Sequence, residues 1–290
     1  MGPVFFIIYI NDLASVVCNH STEPYLFADD LAVNVCGKNL QFLETQFITL
    51  NNRIQDWCAA NYLSLNQSKT CDFKLTLSKT SYSTDECVKF LGINLEPGLG
   101  WSAHVEHISN KISKGLFILR ILRNSISTDT LIAVYYAYVH SHLSYGTLLW
   151  GNHGSCKKLF ILQKRAVRII CGALARDHCR PYFVEHGILT LPSIYVLACL
   201  MYVRNNINKF SICSQIHGYP TRNNSNIYID KCKYTVTQNS FEIVSVNLFN
   251  SLPDNIRNLP IQTFRRVVRA RLRANPLYAV DEFYQFKDWH

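Results

Sequence analysis

The sequence predicts an α+β chain that opens with a small antiparallel sheet and packed helices and becomes mostly helical after its first third. Three observations predict it. Two short apolar runs, Tyr25-Leu26-Phe27-Ala28 and Leu31-Ala32-Val33-Asn34-Val35, flank the polar break Asp29-Asp30, the pattern of a tight hairpin. Leu43, Phe47, Leu50, Ile54 and Trp57 recur at steps of four and three, which places them on one helical face. From Ser102 onward the apolar residues keep a helical period, so strands come first and helices follow.

The elements follow in order. The opening Val4-Phe5-Phe6-Ile7-Ile8-Tyr9-Ile10 is apolar throughout and needs cover on all sides, an unusual start for an independent domain. The hairpin comes next, then a helix over 41–58 that Asn61 is placed to stop. This helix is expected to lie on a sheet containing the hairpin and the stretches 71–77 and 88–95, with Pro97, Gly98 and Gly100 closing the region. Val105, Ile108, Ile112 and Leu116 or Phe117 begin the helical part. Helices over 131–144 and 158–171 follow, and Pro192 opens another over 194–205. Residues 211–238 read as a long polar loop with short strands. A final helix over 263–273 pairs an apolar stripe, Phe264, Val268 and Leu272, with Arg265, Arg266, Arg269, Arg271 and Arg273.

Composition narrows the function classes. Hydrophobic residues make up 48% of the 290, enough for a packed core and unlike a disordered chain. A net charge of +9 favours a polyanionic partner, nucleic acid before an anionic membrane. The 11 cysteines are odd in number and contain no C-x-x-C, which excludes zinc-knuckle spacing and reads as reduced, mostly buried thiols of an intracellular protein, cytoplasmic or nuclear. The run Val4 to Ile10 is short, lacks a preceding basic region and is followed by Asn11 and Asp12, so it does not read as a secretory signal. The longest apolar stretch, 131–150, holds His140, His142, Ser and Tyr, so it reads as a buried helix and not as a membrane span.

Adjacent carboxylates repel, so Asp29-Asp30 at a buried hairpin calls for a cation, and a divalent metal supplies one. Taken alone, a solvated Asp-Asp turn is the simpler account. His104 with His107, and His140 with His142, lack a ligand set and read as structural. Cys171, His178 and Cys179 have no fourth ligand nearby.

The surrounding residues change the balance. Phe27-Ala28-Asp29-Asp30 resembles the catalytic hairpin motif of reverse transcriptases. Met1-Gly2-Pro3 with Phe5 to Leu13 resembles the end of the preceding motif of the LINE type. Trp57, Asn61, Leu63, Leu65, Asn66, Lys69 and Thr70 match the next motif, and Phe90-Leu91-Gly92 the primer-grip turn. Trp101 and His104 match the start of the thumb. Gln163-Lys164-Arg165-Ala166-Val167-Arg168 and Asn250-Ser251-Leu252-Pro253 with Ile256-Arg257 resemble tail signatures of jockey-like elements. The series keeps the family's order and spacing over nearly the whole chain, which therefore resembles the C-terminal part of a LINE-type, jockey-like reverse transcriptase of a non-LTR retrotransposon.

The resemblance implies a partial palm over 1–100, a helical thumb over 101–209 and a tail with a basic helix over 210–290. It makes Asp29 a ligand of a two-metal Mg²⁺ (or Mn²⁺) centre and Asp30 its auxiliary carboxylate. It assigns Lys69 to the pyrophosphate and Phe90, Leu91 and Gly92 to the primer terminus. Lys164, Arg165 and Arg168, with Arg265, Arg266, Arg269 and Arg273, are the candidates for nucleic-acid backbone. RNA template and DNA primer are the expected partners, with dNTP and metal and no other small cofactor. The family's third carboxylate and its fingers lie upstream of the Gly-Pro segment, so the sequence is expected to be incomplete for polymerisation by itself. The alternative is a non-catalytic nucleic-acid-binding remnant retained by the host.

Overall fold

In the computed structural model, which describes residues 2–75, 87–216, 224–286 and 289, the chain divides into two units, Met1–Asp72 and Phe73–His290. The first holds α1 (Gly2–Tyr9), α2 (Leu13–Val17), β1 (Thr22–Phe27), β2 (Asp30–Val35) and α3 (Leu40–Ala60). Asn39 caps α3 by accepting from the Gln41 amide. The helix buries Leu50, Ile54, Trp57 and Cys58 against Ile10, Leu13 and Val17, with Leu26, Leu31, Val33 and Val35 of the hairpin packed beside them. Leu43 and Phe47 are half-buried, so the face read from the sequence is covered mainly in its C-terminal half. The helix stops as expected at Asn61, but by a different device. Asn61 donates its side-chain amide to the Trp57 carbonyl at 2.9 Å, and Tyr62 takes the left-handed conformation at φ 53°. In α1, Val4, Phe5, Ile7 and Ile8 stay exposed.

The expectation of one sheet is corrected. β1 pairs with β2, and β3 (Val88–Phe90) pairs with β4 (Ile93–Leu95) as a separate ladder in the second unit. Residues 71–75 form no strand, and residues 76 and 77 lie outside the described residues. Leu75 is exposed, so this run gains little burial from its apolar residues.

The rest of the second unit is helical: α4 (Ser102–Leu122), α5 (Thr128–Tyr135), α6 (Ser141–Ser144), α7 (Thr147–Trp150), α8 (Lys157–Cys171), α9 (Arg180–Glu185), α10 (Leu191–Asn205), α11 (Cys213–Ile216), α12 (Thr235–Gln238), α13 (Phe241–Asn250), α14 (Asp254–Arg257) and α15 (Ile261–Ala274). Apolar faces of α4 (Val105, Ile108, Ile112, Leu116, Leu119) and α8 (Leu159, Leu162, Ala166, Val167, Ile170) meet in its core, where α10 and α13 also pack. The helix expected over 131–144 is continuous but widened by a π turn, Tyr136–His140. There the backbone of α4 comes close: a Cβ on Gly115 would sit 3.0 Å from the Tyr138 carbonyl, a contact that only glycine leaves relaxed. Pro192 lies in the first turn of α10, whose N-cap Thr190 accepts from the Ser193 amide. α15 buries Phe264, Val268 and Leu272, the stripe its period predicts.

Of the long loop over 211–238, residues 217–223 lie outside the described residues. The remainder is tied down through the tail signature. Asn250 exchanges two hydrogen bonds of 2.9 Å with the Ile227 backbone, and Arg257 donates to the Ser225 carbonyl and to Asn226 Oδ1. The cysteines depart from expectation: all are free, but only Cys58, Cys156, Cys179 and Cys199 are buried, while Cys18, Cys36, Cys71 and Cys87 are exposed. No described helix is long and apolar enough to cross a membrane.

Candidate functional site

The β1–β2 hairpin presents the first candidate pair. Phe27 pairs with Asp30, which leaves Ala28-Asp29 as a two-residue turn. Ala28 holds φ 53°, a conformation that costs an L-residue about 1–2 kcal/mol. Ala28→Gly should therefore stabilise this unit by about 0.5–1 kcal/mol, net of the entropy glycine adds to the unfolded chain. Urea unfolding checks it, and an unchanged or lowered midpoint would contradict the strain. Asp29 sits in the turn and Asp30 opens β2, both exposed, whereas the sequence suggested a buried pair. Neither is in a salt bridge among the described residues, and no group of three His, Cys, Asp or Glu side chains gathers there. Two accessible carboxylates suit Mg²⁺, which is commonly held by one or two carboxylates with phosphate and water completing the shell.

Lys69 is exposed in a turn organised by Asn66, whose carbonyl accepts from the amides of Lys69 and Thr70 at 3.1 Å and from the Thr70 hydroxyl at 3.0 Å. The motif residues Asn66, Lys69 and Thr70 thus share one local structure. Among the described residues no hydrogen bond or ion pair joins Lys69 to Asp29 or Asp30.

In the second unit, Leu91 and Gly92 form the β3–β4 turn with φ 45° and 80°, so a bulky residue is held in the left-handed region. Three contacts fix it. The Tyr145 hydroxyl donates to the Leu91 carbonyl. His104 Nδ1 accepts from the Asn94 amide at 3.3 Å, and a Glu96 carboxylate oxygen accepts from the Ala103 amide at the start of α4. His104 is 2% exposed and packs edge-on against Trp101 and Trp150. Its burial first, and then His107 and Lys111, lower its pKa to about 4. Trp101 and His104 therefore clamp the hairpin to the helices. The histidines read as structural are not all satisfied: His104 Nε2, His107 Nε2 and His140 Nδ1 are buried without partners among the described residues.

The cations divide by what already holds them. Arg168 donates from Nε at 3.0 Å and from its terminal nitrogen at 2.8 Å to the Asp177 carbonyl, closing the loop after α8. Lys164 lies over the rings of Phe160 at 4.7 Å and Tyr278 at 5.5 Å. Arg273 is half-buried, its Cδ within 3.8 Å of where a Cβ on Gly187 would sit. Arg165, Arg265 and Arg266 are exposed. Arg265, Arg266 and Arg269 line a shallow depression with Gln262 and Thr263 at the uncapped, acid-free start of α15. Arg180 escaped the sequence reading. It stacks 4.6 Å over Tyr278 and pairs with Glu282 at 2.9 Å, and no local pattern announces partners about a hundred residues away.

No protein-family model and no solved structure matches the chain. A curated relative does: the Drosophila melanogaster protein described as "Probable RNA-directed DNA polymerase from transposon BS" is 27% identical over 211 residues, covering 64% of this chain. The match takes in 22% of that relative, so the chain spans about a fifth of its length. The ordered motifs and this match make the chain similar, over about two-thirds of its residues, to a transposon protein described as a probable RNA-directed DNA polymerase.

Proposed function

We propose that this chain carries the metal hairpin and the template–primer-holding region of an RNA-directed DNA polymerase of a LINE-type, jockey-like retrotransposon. The observation that supports it most directly is the Asp29-Asp30 hairpin standing in its place within the motif series. In this reading residues 1–100 belong to the palm, 101–209 to the thumb and 210–290 to the tail. Asp29 is the principal ligand of Mg²⁺ or Mn²⁺ and Asp30 the auxiliary one. Two bound ions would stabilise the attacking and leaving oxygens of nucleotidyl transfer. Lys69 neutralises charge on the departing pyrophosphate. The Phe90-Leu91-Gly92 turn, pinned by Tyr145 and His104, positions the primer end. The exposed Arg165, Arg265 and Arg266 carry the phosphate contacts, while Lys164, Arg168 and Arg273 act mainly through the packing described above.

The second reading is a non-catalytic nucleic-acid-binding remnant retained by the host, in which the exposed arginines at the start of α15 carry the function. Both readings expect binding of primed RNA template by the purified chain, with an affinity that falls steeply as salt rises. Arg265→Gln with Arg266→Gln should flatten the slope by about two counterions. A salt-insensitive affinity would remove the nucleic-acid assignment. Primer extension with Mg²⁺ separates the two readings. Extension that appears when a segment bearing the third carboxylate of the motif series is supplied, and disappears in Asp29→Asn, supports the polymerase; no extension under those conditions supports the remnant.

A further inference from the structure

A second cationic cluster gathers beside the β3–β4 turn, and apart from His104 its residues have no place in the motif series. His104, His107 and Lys111 stand at i, i+3 and i+7 on α4, so they share one face of that helix. The face emerges from the core along its length: His104 is buried, His107 half-buried and Lys111 exposed. α4 packs there against β4 and α6. From α6 comes His142, half-buried, and from the outward position of β3 comes Lys89, exposed. No carboxylate is paired with any of these groups among the described residues. Glu106 is committed to Lys158, and Glu96 accepts from the Ala103 amide at the start of α4. Gathering like charges without a counter-ion costs stability, and an anion removes that cost.

We propose that Lys89, His107, Lys111 and His142 form a phosphate-binding site next to the Phe90-Leu91-Gly92 turn, and that its occupant is a phosphodiester of bound nucleic acid. The lysines supply permanent charge, and the imidazoles add N–H donors. His107 already keeps Nε2 without a partner among the described residues. The groups sense one another. Burial, then Lys111 and Lys89, hold His107 below the usual histidine range. Burial, then Lys111 and His107, do the same for His142. A phosphate reverses those repulsions, so each ring takes up a proton more readily when the site is filled, and binding tightens as pH falls. The groups facing the two rings are Lys89 from β3, His104 and Lys111 from α4, and each other.

The identity of the occupant rests on the proposed nucleic-acid function; the site itself does not. Two measurements on the full chain test them separately. The first follows the ring signals of ¹⁵N-labelled histidines during titration with inorganic phosphate. His107 and His142 should shift together and their pKa values should rise. If neither ring responds, the site is overturned. The second follows primed-template binding by fluorescence anisotropy. Affinity should rise about tenfold between about pH 8 and pH 6, and His107→Gln with His142→Gln should abolish the rise. A rise that persists in the double variant overturns the nucleic-acid occupant, even if phosphate still moves the rings. If the double variant fails to fold, exposed Lys111→Gln carries the test, with about threefold weaker binding at every pH expected and no change overturning the proposal. A chain that binds no template at any pH defeats the proposed function, whereas the phosphate response would still uphold an anion site.

Discussion

Replacing Gln163 by leucine lowers the unfolding free energy of the helical unit by about 3–5 kcal/mol, the lower part of the range for three orphaned buried polar groups at about 1–3 kcal/mol each. Gln163 is 0% exposed at the middle of α8. Its Nε2 donates to the Tyr135 hydroxyl and to the Leu189 carbonyl, each at 2.8 Å, and its Oε1 accepts from the Leu191 amide at 2.7 Å. One side chain thus satisfies the end of α5 and the turn into α10. Leucine has a similar volume, so packing is nearly kept and the loss is polar. Glutamate should be worse near neutral pH, since it can keep the Leu191 bond only by burying a charge or binding a proton. Urea unfolding of the purified variants reads the effect. A loss below about 1 kcal/mol for leucine would mean that water reaches these groups and that the hub is not closed.

Acid should unfold the same unit progressively between about pH 6.5 and pH 4. His104 and His140 both have folded pKa values near 4, lowered first by burial, with His107 and Lys111 adding to the effect at His104 and Arg269 at His140. In the unfolded chain each returns to about 6.5. Within that window the unfolded state binds more protons, so stability rises with pH: it is fully present above about pH 6.5 and lost as pH falls towards 4. Each ring contributes at most about 3 kcal/mol at 1.36 kcal/mol per pH unit, and half-buried His140 less than His104. His104→Gln can still accept from the Asn94 amide through its side-chain carbonyl, so it should remove roughly half of the pH dependence without loosening the hairpin. Unfolding midpoints measured across this window decide the matter. Wild-type and His104→Gln curves that fall in parallel would show that the buried imidazole is not the group being titrated.

The helices were the legible part of the sequence. Apolar residues at helical spacing located α3, α8, α10 and α15 to within a few residues, and Pro192 marked the start of α10 because proline costs least in a first turn. The hairpin around Asp29 was legible too, since two alternating runs and a two-residue break admit few other structures. The joining of strands was not. Whether 71–75 adds to a ladder depends on a neighbouring edge and on burial, and a period of two repeated twice fixes neither. Charge was legible as composition, but its use was not. Nothing beside Arg168 indicates that its guanidinium is spent on the Asp177 carbonyl, whereas neighbouring Arg165 remains exposed. Tyr145, and the buried hydrogen-bonding role of Gln163, were missed for the same reason. Their partners Leu91, Tyr135 and Leu189 lie dozens of residues away, and sequence pattern reports only neighbours.

The clamp on the β3–β4 turn also bears on the order in which the molecule assembles. A ladder of two three-residue strands is too small to persist in water by itself. One of the three contacts that hold it is a hydroxyl from 54 residues downstream, and bringing that hydroxyl into place closes a long loop whose entropy must be offset elsewhere. The turn is therefore dependent on the helical bundle: Leu91 has this hydrogen-bond partner only where the packed helices hold Tyr145 in place.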